Sequence, residues 1–159
     1  MGLEGIPRLV GAAAAPHGAA PLPLVAEAMA ALDALSLGQR EALARGGVVD
    51  AIVNVLRLPA GGELSAPSAA AKGGGAAGDA VAAAAAALAL RAKAHACNLI
   101  TVLAFDSSLK RALYHKHAVG PLMVLSEGVA EGTAEEAAVQ SALRQMGLGY
   151  LAPAADEAA

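Results

Sequence analysis

The sequence has almost no aromatic residues: one Phe, two Tyr and no Trp in 159. That removes the side chains that dominate large cores. It also removes the platform on which bases stack in readers of single-stranded nucleic acid. There is one cysteine, Cys97, which excludes a disulfide framework within the chain and fits a reducing compartment. Positive charge is not in excess: Lys and Arg number 11 against 14 Asp and Glu, a formal net charge of −3. Without a basic stripe, nucleic-acid binding is disfavoured. Long apolar runs are missing too. The longest, Ala80 to Leu90, falls well short of the ~20 residues a membrane span needs. The N-terminus lacks a charged stretch followed by an apolar one, and Ile6 stands where a myristoylation signal usually has Ser or Thr. These absences predict an intracellular chain, cytoplasmic or nuclear, with neither nucleic acid nor membrane as a partner.

What is abundant is alanine, more than a quarter of all residues and the main reason the chain is 57% hydrophobic. Alanine is the best helix former, β-branched residues are comparatively few, and strand-like alternation is hard to find. The fold class predicted is all-α. Alanine buries little area, and the gain is only ~25 cal/mol per Å² of apolar surface. Such a core must be thin, with helices packed closely side by side and marginal stability for the isolated chain.

Helical periodicity places the elements. Val25, Ala28, Met29, Leu32 and Leu35 recur near every 3.6 residues, downstream of Pro21 and Pro23. Ser36 and Gln39 have the spacing of a capping box for a short helix, Gln39 to Arg45, which Gly46-Gly47 stops. Val49, Ile52, Val53 and Leu56 form one face of the next helix. Residues 59–79 are a Pro/Gly/Ala/Ser tract without periodicity, predicted to be a disordered insert loop. A long helix is predicted from about Asp79 to Ala104, with a specific face of Ala96, Leu99, Ile100 and Leu103. Its alanine-rich start, Ala80 to Ala89, either packs as a smooth face or is helical by propensity alone. Asp106, Ser107 or Ser108 caps the following helix, which runs to about His117 and buries Leu109, Leu113 and Tyr114. A short helix spans Pro121 to Ser126. Thr133 and Glu136 make a capping box for the last helix, to about Tyr150, and 152–159 form a disordered tail.

Residues that can carry chemistry have ordinary explanations. His115 and His117 have His-x-His spacing, but no Cys or carboxylate cluster adjoins them, so a polar helix end is expected rather than a metal site. Cys97 and His95 are two residues apart and do not share a helix face, so Cys97 reads as a small buried residue rather than a nucleophile. The run Gly73-Gly74-Gly75-Ala76-Ala77-Gly78-Asp79 lacks the Lys and Ser/Thr of a phosphate loop. Glu131, Glu135 and Glu136 suit the start of a helix. No catalytic, cofactor-binding or metal-binding residue is assigned. A pocket gathering His95, His115 or His117 with a carboxylate would reopen the question of an enzyme.

Three segments resemble one another: Gly5-Ile6-Pro7-Arg8-Leu9-Val10, Val48-Val49-Asp50-Ala51-Ile52-Val53 and Ala118-Val119-Gly120-Pro121-Leu122-Met123. Leu9, Ile52 and Leu122 hold the same place. Setting aside most of the insert leaves a period of roughly 42 residues, in the range of helical repeats. Ala28, Leu32 and Leu35 match Ala96, Ile100 and Leu103, and Leu43 before Gly46-Gly47 matches Leu113 before His117-Ala118. Each unit reads as short helix, short helix, long helix. On these residues the chain resembles the armadillo repeat family, with HEAT repeats the nearest alternative. The resemblance runs through 1–58 and 80–151, divided by the insert.

The resemblance implies a right-handed α-solenoid of roughly two to three repeats whose third helices line a groove for another protein. In peptide-binding members a Trp and an Asn recur on that helix. Here the Trp place falls on Ala30 and Asn98, and the Asn place on Ala34 and Val102, so reading of nuclear-signal peptides is not supported. The candidate partner-facing positions are Ala30, Asp33, Ala34, Asn98, Thr101 and Val102. A scaffold or adaptor that binds a partner protein is expected, or a subunit stacked permanently into a larger complex. The chain opens within a repeat, so it reads as a terminal piece or fragment. Its uncapped repeat ends offer apolar surface for self-association.

Overall fold

The computed structural model describes residues 5–13, 22–58 and 75–148. Every regular element among them is an α-helix. In chain order these are α1 (Gly5–Ala13), α2 (Leu22–Leu35), α3 (Arg40–Arg45), α4 (Val48–Leu56), α5 (Gly75–Leu103), α6 (Ser107–His115), α7 (Val119–Gly128) and α8 (Ala134–Gln145).

The helix ends follow from local chemistry, with one correction. Asp106 caps α6: its Oδ1 accepts from the Ser108 N–H at 2.8 Å and the Leu109 N–H at 3.4 Å, and the Ser108 hydroxyl donates to it at 2.6 Å. These bonds favour the charged carboxylate and hold its pKa below the ordinary value, the Ser108 side-chain bond most of all. Thr133 caps α8, its Oγ1 accepting from the Glu136 N–H at 3.2 Å, while Glu136 Oε2 reaches back to the Gly132 N–H at 2.6 Å. The expected box of Ser36 and Gln39 does not form. Ser36 is buried, and its hydroxyl donates backward to the Asp33 carbonyl at 2.6 Å, closing the last turn of α2. Gln39 occupies the N-cap of α3 without a side-chain bond.

Other boundaries shift by a few residues. Helix α5 begins at Gly75, so the expected loop is already helical over 75–79; residues 59–74 lie outside the described part, as does the tail. Helix α6 stops at His115. The chain then turns through His117 at a φ of 61°, a left-handed value. Gly47 makes the matching turn after α3 at 83°. Helix α7 is longer than Pro121 to Ser126 at both ends, and Pro121 sits in its first turn, where a missing N–H costs nothing. Leu113 is buried, but Leu109 is only half-buried and Tyr114 is exposed. The Tyr114 hydroxyl donates to the Met146 carbonyl and so ties α6 to the end of α8.

The core is one continuous cluster with α4 and α5 at its centre. Helix α4 is apolar on nearly every side. Val48, Ala51 and Val55 are buried along with the expected Val49, Ile52, Val53 and Leu56. A short helix of this kind needs neighbours all round, and α4 packs against α1, α3, α5, α6 and α7. Helix α5 packs most extensively against α2 and α8. Its buried face uses Ala92, Ala96, Leu99, Ile100 and Leu103; the alanines let neighbouring backbones come close. Leu9, Ile52 and Leu122 thus lie on α1, α4 and α7, and α4 contacts both of the others. Ile52 and Leu122 are fully buried and Leu9 is partly so.

Candidate interaction surface on the long helices

Helices α2, α5 and α8 each give one face to the core and one to solvent. Ala30, Asp33 and Ala34 are spaced i, i+3, i+4 on α2, and Asn98, Thr101 and Val102 repeat that spacing on α5. All but Ala34 are half-buried, and Ala34 is exposed. Packing of α5 on α2 brings two of the six together: the Asn98 side-chain amide donates to Asp33 Oδ2 at 3.0 Å. Thr101 turns to its own helix instead, its hydroxyl donating to the Cys97 carbonyl at 3.0 Å.

A third group joins the pair. His95 Nδ1 lies 2.8 Å from the same Asp33 Oδ2. One carboxylate oxygen, with the Asp33 side chain only 20% exposed, therefore orients both an imidazole and an amide. Because the Asn98 amide nitrogen faces Asp33, its carbonyl oxygen is left as an acceptor. Because Nδ1 of His95 is held, Nε2 is turned to the other side of the ring. No hydroxyl or thiol among the described residues hydrogen-bonds to that nitrogen.

The polar strip continues toward α8. A cavity of about 430 Å³ lies between α5 and α8, lined by Arg91, His95, Asn98, Glu135 and Ser141 among others. It sets a cation, an acid, a hydroxyl and the His95–Asn98 pair around one shallow depression. Such a surface can exchange hydrogen bonds with a polypeptide lying across the helices. Sequence reasoning missed His95 and the α8 residues as members of this surface. His95 was legible, being three residues before Asn98 and on the same face. Glu135 and Ser141 were not, since nothing local says which side of α8 meets α5.

The remaining reactive groups stand apart. Cys97 is fully buried, and burial pushes its thiol up to about 12. His115 and His117 are exposed at the end of α6. Among the described residues no three His, Cys, Asp or Glu side chains gather as a metal site, and no helix is long and apolar enough to cross a membrane.

The chain matches no protein-family model, no curated protein and no solved structure.

Proposed function

We propose that the chain is an armadillo-type α-solenoid segment acting as a protein-interaction module, and that a partner polypeptide lies across α2, α5 and α8. The observation that carries this reading is the Asp33–His95–Asn98 cluster. It joins successive long helices, and two of its three members, Asp33 and Asn98, stand at positions that the repeat alignment marks as partner-facing. The serial packing of α2 on α5 and α5 on α8, with α1, α4 and α7 in the same order, supports the solenoid. Asn98 offers an oriented amide in the manner of a backbone-reading side chain, although it stands at the family's Trp place, one helical turn before the Asn place at Val102. The single buried Cys97 is in keeping with a reducing, intracellular setting.

The test is affinity capture with the full chain and two surface variants, Ala34→Arg and Asn98→Ala, against a control, Glu131→Arg, on the loop before α8. The same partner set should be retained by wild type and control and lost from both surface variants. Equal capture by all four proteins would refute the assignment of this face.

A second reading, a subunit stacked permanently in a larger assembly, is favoured by Leu37 and Phe105. They follow α2 and α5 at matching places and are 83% and 67% exposed. Sedimentation of the isolated chain as a well-folded monomer would dismiss it.

A further inference from the structure

We propose that the apolar cavity between α4, α5 and α7 binds a small amphiphile with a single carboxylate head, which Lys93 receives. The cavity measures about 560 Å³ and is lined by Leu56, Leu58, Ala89, Leu90, Val124 and Lys93, among others. Sites for small molecules are typically ~300–1,000 Å³, mostly apolar, with a few placed polar groups. This one has that make-up.

Lys93 is the feature that calls for a ligand. It is only 7% exposed, and lysines are almost never buried so far unless paired. Among the described residues none forms an ion pair or hydrogen bond with it. Its neighbour one turn on, Cys97, stays a neutral thiol because burial pushes its pKa up to about 12. Burial correspondingly lowers the pKa of Lys93. Its stem is buried while its Nζ keeps contact with solvent, since no fully buried side-chain nitrogen is left without a partner; among the described residues it has no counter-ion, and a carboxylate entering the cavity supplies one. The rest of the lining agrees. Arg57 stands at the exposed end of α4 as a second cation, and among the described residues no acidic side chain lines the cavity. One inner cation matches one negative charge, and the apolar walls match an alkyl chain.

This site is separate from the surface on α2, α5 and α8. At ~100° per residue, Lys93 points about 140° away from Asn98 and about 160° away from His95 around α5. Either assignment can fail without the other.

The experiment is calorimetric titration of the full chain with hexanoate, octanoate and decanoate below their micelle concentrations. Decanol and decyltrimethylammonium serve as head-group controls. Decanoate is expected to bind one-to-one, tightening about fourfold for each methylene that becomes buried. The cationic amphiphile should bind about tenfold more weakly or not at all. Lys93→Met should weaken decanoate by about tenfold or more while leaving decanol unchanged. Ala86→Phe, which fills the cavity, should abolish binding of both, with helicity retained. Four results would overturn the proposal: no decanoate binding, decanol or the cation binding as tightly as decanoate, many molecules bound per chain, or Lys93→Met binding decanoate like the wild type. The head-group series on the unaltered chain keeps the test decisive even if a variant fails to fold.

Discussion

Truncating Ile52 tests the central packing directly. Ile52 is fully buried on α4, the helix with the most neighbours. Ile52→Ala removes three carbons, worth ~2.4 kcal/mol of transfer free energy at ~0.8 per methylene. A residual void of roughly 50 Å³ at ~24 cal/mol per Å³ adds about 1 kcal/mol. The expected loss is about 3–4 kcal/mol, a large share of the ~5–15 kcal/mol that holds an ordinary domain together. Leu9 holds the matching place in the look-alike segment on α1 but is only partly buried. Leu9→Ala should therefore cost about 1 kcal/mol, with no enclosed void. Leu122, fully buried on α7, should behave like Ile52. Urea unfolding followed by far-UV circular dichroism is the appropriate assay, since the chain has no tryptophan. The slope against denaturant should stay constant across the three variants. A Leu9→Ala loss equal to that of Ile52→Ala would refute the reasoning, because equal costs would mean that α1 and α4 are equally enclosed.

Further outcomes follow from single groups. Burial holds the Lys93 pKa below its ordinary 10.5, so between the lowered value and 10.5 the folded chain binds fewer protons than the unfolded one. Stability should rise with pH through that window. Lys93→Met should remove the rise, and parallel alkaline stability curves for the two proteins would contradict the burial of the side chain. Cys97, with its thiol pushed up to about 12, should resist thiol reagents in the native chain and react fully in urea; rapid native labelling would show that α5 is not packed as described. His117→Gly should stabilise the chain by up to about 1 kcal/mol, since a left-handed backbone costs a side-chain-bearing residue ~1–2 kcal/mol and glycine returns part of that as unfolded-state entropy. A lower melting temperature for that variant would count against the turn.

Much of the helical framework was open to reading from the sequence alone. Alanine content and 3.6-residue spacing are local properties, so they placed α2, α4, the core half of α5, and α8. Asp106 and Thr133 act within three residues, so their caps were visible as well. Ser36 was misread because its hydroxyl had two local carbonyl and amide choices, and burial against α2 selected the backward one. The likeness of Leu9, Ile52 and Leu122 was likewise visible, because it is a matter of order along the chain.

What tertiary structure decided is everything that needs two helices at once. Asp33 meets His95 and Asn98 across 62 and 65 residues of chain. That meeting depends on how α5 rolls onto α2, which small side chains such as Ala28 and Ala96 permit in more than one rotation. The enclosure of Lys93 depends on α4 and α7 closing over one side of α5, and a lone lysine in a helix otherwise reads as a solvated charge. Periodicity says that a helix has an apolar face; only packing says which polar residues at the edge of that face end up against one another and which lose contact with water.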